Sequence, residues 1–135
     1  MSNTPTLEPR PHQMPAGLTA SLTYHVLARD QYACFRCGTN AMDTKLLLCS
    51  RKTGTAASTA PGNLMLCRSC IPCIYMDTHR RRSIRLGYLI PAGNFHPSAV
   101  PVLHHRNGWV LLTSDGKWAK ADEYAVKDWE ARWGA

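Results

Sequence analysis

Residues 66–73 read LCRSCIPC, and residues 34–38 read CFRCG. Two residues between paired cysteines let both sulfurs reach one tetrahedral ion at about 2.3 Å while the backbone between them closes into a tight knuckle. Twenty-nine residues separate the two pairs, and Gly38 directly after the first supplies the left-handed or close-approach position such a knuckle needs. The pattern predicts one structural Zn2+ per chain, held by Cys34, Cys37, Cys67 and Cys70, with no open position for a catalytic water. A redox-active CxxC would call for a thioredoxin-like βαβ pattern, which the sequence does not carry. Cys73 follows Cys70 by three and reads as a buried thiol rather than a competing ligand.

Working outward, the 135 residues suffice for one domain with a modest core and are too few for two. The formal charge of +7 is unevenly spread: residues 29–106 hold eleven Lys and Arg against three Asp and Glu, whereas residues 107–135 hold four against five. The positive field therefore belongs to the stretch that carries the cysteines, and it favours polyanions such as nucleic acid. No run of eighteen apolar residues is present to span a membrane. The opening MSNTPTLEPRPHQMPAG lacks the apolar segment of a secretory signal. Six cysteines in such a chain point to metal before disulfides, and the expected location is the cytoplasm.

Residues 1–17, with four prolines, read as a flexible arm. Residues 18–85 form the zinc-binding module, opening on a helix with Leu18, Leu22, Val26 and Leu27 at helical spacing. In residues 86–135, apolar stretches separated by Asn107 with Gly108 and by Asp115 with Gly116 predict a small antiparallel meander with tight turns. A last helix places Val126, Trp129 and Trp133 on one stripe, expected to pack on that meander as part of the same domain. The fold class is α+β.

The segments VLARDQYACFRCG (26–38) and LLLCSRKTGTAASTAPGNLMLCRSC (46–70) resemble the HNH endonucleases, especially the small zinc-stabilised ones of bacteriophages. LGYLIPAGNFHPSAVPVLHHRNGWVLLTSDG (86–116) is similar to the tail of some of these proteins. The resemblance implies a ββα-metal core, a β-hairpin and a helix above the zinc knuckles. It also implies a catalytic site of two adjacent histidines, an asparagine that orients the general base, and a histidine after the second CxxC. Cys49 and Ser50 stand at the histidine pair, Asn63 matches the asparagine, and Ile71 replaces the last ligand. Serine is no general base at neutral pH, cysteine is too soft for the usual hard cation, and isoleucine offers no ligand atom. Phosphodiester hydrolysis needs both an activated water and a cation, so the lineage predicts a module without nuclease chemistry.

Other histidines do not restore that site. The pair His104 and His105 falls on a predicted strand, where alternation sends neighbours to opposite faces, and reads as surface and half-buried histidines. His79 lies nine residues after Cys70 and is poorly placed as a substitute ligand.

Arg80, Arg81, Arg82 and Arg85 crowd the expected end of the module's helix, beyond what helix-terminus electrostatics require. With Arg51 and Lys52 they are expected to line one phosphate-contacting surface, binding DNA with low sequence specificity. A solvated cluster or an acidic protein partner would account for the same arginines. Three functions follow as alternatives: a degenerate HNH-like module that binds nucleic acid, a protein-interaction module acting on a host or phage protein, and an active metal-dependent endonuclease with displaced ligands.

Overall fold

In the computed structural model, residues 16–52 and 57–134 are described, with side chains from residue 20 onward. Helix α1 (Ala16–Arg29) leads into the first cysteine pair, and strands β1 (Leu46–Ser50) and β2 (Asn63–Cys67) follow as a hairpin. Helices α2 (Cys70–Tyr75) and α3 (Arg80–Arg85) come next, then strands β3 (Val102–His104), β4 (Gly108–Leu112) and β5 (Trp118–Lys120) and helix α4 (Glu123–Trp133). The described residues thus form a mixed α+β structure with two small antiparallel sheets and four α-helices. The arm expected over residues 1–17 lies outside the described residues up to 15, and Ala16 and Gly17 already belong to α1.

The hairpin pairs Leu46 with Cys67 and Ser50 with Asn63. Its strands, LLLCS and NLMLC, are apolar at nearly every position because both faces are covered. Leu48 and Met65 on one face meet Leu22 and Val26 of α1. Cys49, Leu64 and Leu66 enter the larger core, which extends through Ile71, Ile74 and Ile84 to Val102, Val110, Leu112 and Trp129. That core crosses the boundary expected after residue 85.

Two local breaks were not legible. At the end of α1, Gln31 and Tyr32 take left-handed φ angles of 58° and 56°. Neither is a glycine, and each position costs about 1–2 kcal/mol, offset by the buried contacts of the preceding Arg29 and Asp30. The arginine cluster, expected at the tail of one long helix, forms a helix of its own. Met76 is extended at φ −70°, ψ 141°, ending α2, and a 3-10 turn over Asp77–His79 redirects the chain into α3. The Ser83 hydroxyl then donates to the Ile74 carbonyl at 2.8 Å, satisfying one of the acceptors left open where α2 stops.

The meander has the expected order β3-β4-β5; Gly116, at φ 81°, lies in its second turn, and Gly108, at φ 73°, is the first residue of β4 after the turn over residues 105–107. Strand β5 is exposed along its whole length. Helix α4 is capped by Asp122, whose side chain accepts from the Tyr124 amide. Its stripe buries Val126 and Trp129 as expected, but its close neighbour is α3 rather than a strand of the meander. The Trp129 indole donates to the Ile84 carbonyl at 2.7 Å, and Phe95 meets the rings of Trp129 and Trp133 edge-on. An indole with an N–H to satisfy docks on a carbonyl with a spare lone pair, and Ile84 O, which also accepts from the Gly87 amide at 3.0 Å, provides one.

Candidate metal centre

The first knuckle is closed by two backbone bonds, Cys34 N–H to Thr39 O and Gly38 N–H to Cys34 O, both at 2.9 Å. Gly38 turns through φ +83°, as its place after the pair predicts. The second knuckle joins the end of β2 to the first residue of α2. The Phe35 amide donates to Met65 O at 2.8 Å and ties the first knuckle to the hairpin.

All four sulfurs of Cys34, Cys37, Cys67 and Cys70 lie within 4.8 Å of one another, and Cys37 and Cys67 are 3.7 Å apart. A tetrahedron of sulfurs about 2.3 Å from its centre has edges of about 3.8 Å, so these residues are positioned to bind a metal ion. Cys34, Cys67 and Cys70 are buried, whereas Cys37 is exposed. Burial pushes the Cys34 and Cys70 thiols up. At Cys37 burial acts the same way but is outweighed by the Thr39 hydroxyl and amide and the neighbouring sulfurs, which bring it down to about 6. Arg36 donates to the Cys70 sulfur at 3.4 Å. Cys73 stands outside the set, its thiol directed to Ser69 O, and is half-buried rather than buried.

The four positions at which the resemblance places catalysis are sealed. Cys49, Ser50 and Asn63 are 0% exposed and Ile71 is 2%. Ser50 and Asn63 are cross-strand partners, and the Tyr75 hydroxyl donates to the Ser50 carbonyl. The Asn63 amide donates to Ala57 O and Thr59 O, both at 2.9 Å, so it organises backbone rather than an imidazole. Among the described residues, the four cysteines are the one group of three or more metal-ligating side chains in such proximity.

The expected six-residue basic surface requires correction. Arg51 is 1% exposed, and its guanidinium donates to the carbonyls of Gly87, Pro61, Pro97 and Val100 at 2.8–3.0 Å. Burial, with Arg29 nearby, lowers its pKa to about 9, which leaves it charged at neutral pH. It is an internal brace and cannot face a phosphate. The Lys52 ammonium is held by Gly93 O and Phe95 O. Arg85 lies 3.6 Å from Glu130. Arg80, Arg81 and Arg82 remain exposed on α3, Arg82 reaching Cys73 O at 3.4 Å.

Sequence reasoning missed a second brace. Arg29 and Asp30 form a buried ion pair at 2.7 Å; Arg29 also donates to Ala60 O and Asn63 O, and Asp30 accepts from the Met65 amide. Burial raises the Asp30 pKa against the pull of Arg29. Adjacent opposite charges are common on surfaces, so nothing short of the packed hairpin distinguishes this pair.

His104 ends β3 and His105 opens the following turn, so alternation does not send them to opposite faces as expected: their ring centroids lie 4.2 Å apart. His104 is buried edge-on to Phe35, and its Nδ1 accepts from the amides of Arg106 and Asn107, both at 3.1 Å. That role requires a neutral ring. Burial, then the neighbouring His105, pushes His104 down to about 4. An unfolded imidazole protonates near pH 6.5, so between about 6.5 and 4 the unfolded state binds more protons. This contribution is complete above pH 6.5 and falls with pH, by about 2 kcal/mol at pH 5. Urea midpoints at pH 7 and pH 5 should therefore converge in a His104→Asn variant; an undiminished gap would remove His104 as its source.

No family model, curated protein or solved structure matches the chain. No helix among the described residues is long and apolar enough to cross a membrane.

Proposed function

We propose that this protein is a zinc-organised, HNH-derived module that binds nucleic acid through α3 and carries no nuclease chemistry. Zinc is the ion that a closed set of four thiolates suits best. The reading is supported by a β1–β2 hairpin followed by α2, with the four cysteines at its base. The observation that carries the loss of catalysis is the burial of Cys49, Ser50, Asn63 and Ile71, without an imidazole or carboxylate at any of them. A phosphodiester could not reach these positions, and they offer neither base nor cation site.

Purified protein should leave supercoiled and linear DNA intact with Mg2+, Mn2+, Ni2+ or Zn2+. Nicking that disappears in an Asn63→Ala variant would instead support the endonuclease reading. Binding should rest on phosphate contacts, so replacing Arg80, Arg81 and Arg82 by alanine should weaken duplexes of all sequences about equally. The slope of log K against log salt should flatten by up to roughly 2.7 if each arginine neutralises one phosphate. Metal content should not change. Undetectable duplex binding at about 50 mM salt would exclude this reading and favour a protein partner.

A further inference from the structure

Two concavities border α1 and share Gly116 in their linings, a trough in two parts. The first, about 530 Å3, lies between His25 and residues 58–61, 96–98 and 114–116. Gly116 also borders a second concavity of about 440 Å3, lined by Gln31, Lys117 and Trp118. Each volume falls within the range of about 300–1,000 Å3 usual for small-ligand sites.

The floor is braced from beneath by buried polar side chains. Asn63 donates to Thr59 O, Arg29 to Ala60 O, and Arg51 to both Pro61 O and Pro97 O. All four carbonyls belong to residues that line the trough. Preorganised walls lower the ordering cost of binding. The brace also carries charge. Arg29 is neutralised by Asp30, but among the described residues no carboxylate pairs with Arg51. A cation held in low dielectric beneath a concave surface projects an attractive potential for anions into it.

The lining complements that field. His25, His96, Ser98 and Ser114 offer ring nitrogens and hydroxyls able to bond phosphate oxygens. The carboxylate in the lining, Asp115, accepts from the Thr113 hydroxyl. At the other end Trp118, 39% exposed, presents an indole beside Lys117. Unpaired bases stack on exposed aromatic rings within a positively charged groove.

We propose that the trough binds a nucleotide unit, its phosphate above the floor braced by Arg51 and its base against Trp118, either as a free nucleotide or within a single strand. This extends the nucleic-acid reading but uses none of the residues of α3. The test uses the full-length, metal-loaded protein, with deoxythymidine monophosphate and an eight-nucleotide oligothymidylate as probes. Both are titrated at about 50 mM salt alongside a duplex.

Trp118→Ala should weaken single-strand or nucleotide binding by about 5- to 100-fold, as loss of one stacked base does. Ser98→Asp, at an exposed position, should weaken it at least about tenfold by placing a carboxylate where the phosphate sits. Both variants should keep their metal and their duplex affinity. Binding of the monophosphate alone would identify a free nucleotide as the ligand; binding of the oligomer only would identify a strand, and either result supports the site. Absence of binding by both probes, or affinities within about twofold of wild type in both variants, would overturn it. Loss of duplex binding in the triple arginine variant with trough binding intact would separate the two readings.

Discussion

Substituting Cys34 by serine is expected to release the metal and unfold the protein. Four sulfurs within 4.8 Å of one another join the first knuckle to β2 and α2, segments with no other covalent or metal link among the described residues. A structural metal such as zinc, bound by four thiolates, would contribute roughly 10–16 kcal/mol, comparable to or larger than the roughly 5–15 kcal/mol net stability of an ordinary domain. Loss of one thiolate should leave the rest of the core unable to hold the chain. Chelation of the wild-type metal should have the same effect. Cys73→Ser should keep both metal and fold, because its sulfur stands outside the cluster. Elemental analysis together with circular dichroism checks all three results, and a folded, metal-free protein would remove the metal from the account of the fold.

Arg51→Ala is expected to be the next most damaging change. The guanidinium donates to four carbonyls on three stretches of chain, at Pro61, at Gly87, and at Pro97 and Val100 of one turn. Pro97 O is part-buried and keeps the Val100 amide, whereas the bonds to Gly87 O, Pro61 O and Val100 O are buried. Leaving a buried acceptor unsatisfied costs about 1–3 kcal/mol, so the loss should reach at least about 3 kcal/mol. Arg51→Lys should recover only part of it, since one ammonium cannot span acceptors that a planar fork reaches together. Urea denaturation of the metal-saturated protein measures both. Were Arg51 a phosphate contact, the alanine variant would instead be as stable as wild type.

The cysteine cluster was legible because its geometry is local. CxxC spacing fixes sulfur separation, and Gly38 marks the turn, so the knuckles needed no knowledge of distant contacts. The meander was legible for a similar reason: Asn107 and Asp115 lie in its turns, with Gly108 opening β4 and Gly116 closing the second turn, both at positive φ. The charged residues were misread because a formal charge carries no information about depth. Arg51 and Arg81 look alike in sequence, yet one lies under the hairpin with four carbonyl partners and the other is exposed on α3. The break after Tyr75 was hidden too, because neither glycine nor proline marks Met76, and its reason lies nine residues beyond Ile74, in the Ser83 hydroxyl.

The tip of the meander rests on the first knuckle. The His105 amide donates to the Phe35 carbonyl at 3.2 Å, its imidazole packs over Gly38, and His104 stands edge-on to the Phe35 ring. Phe35 sits between Cys34 and Cys37, so loosening of an ion held by the four cysteines would reach β3 and β4 without crossing a flexible joint. Slow amide exchange in these strands would then report metal occupancy. The C-terminal half would open together with the cysteine knuckles as one cooperative unit.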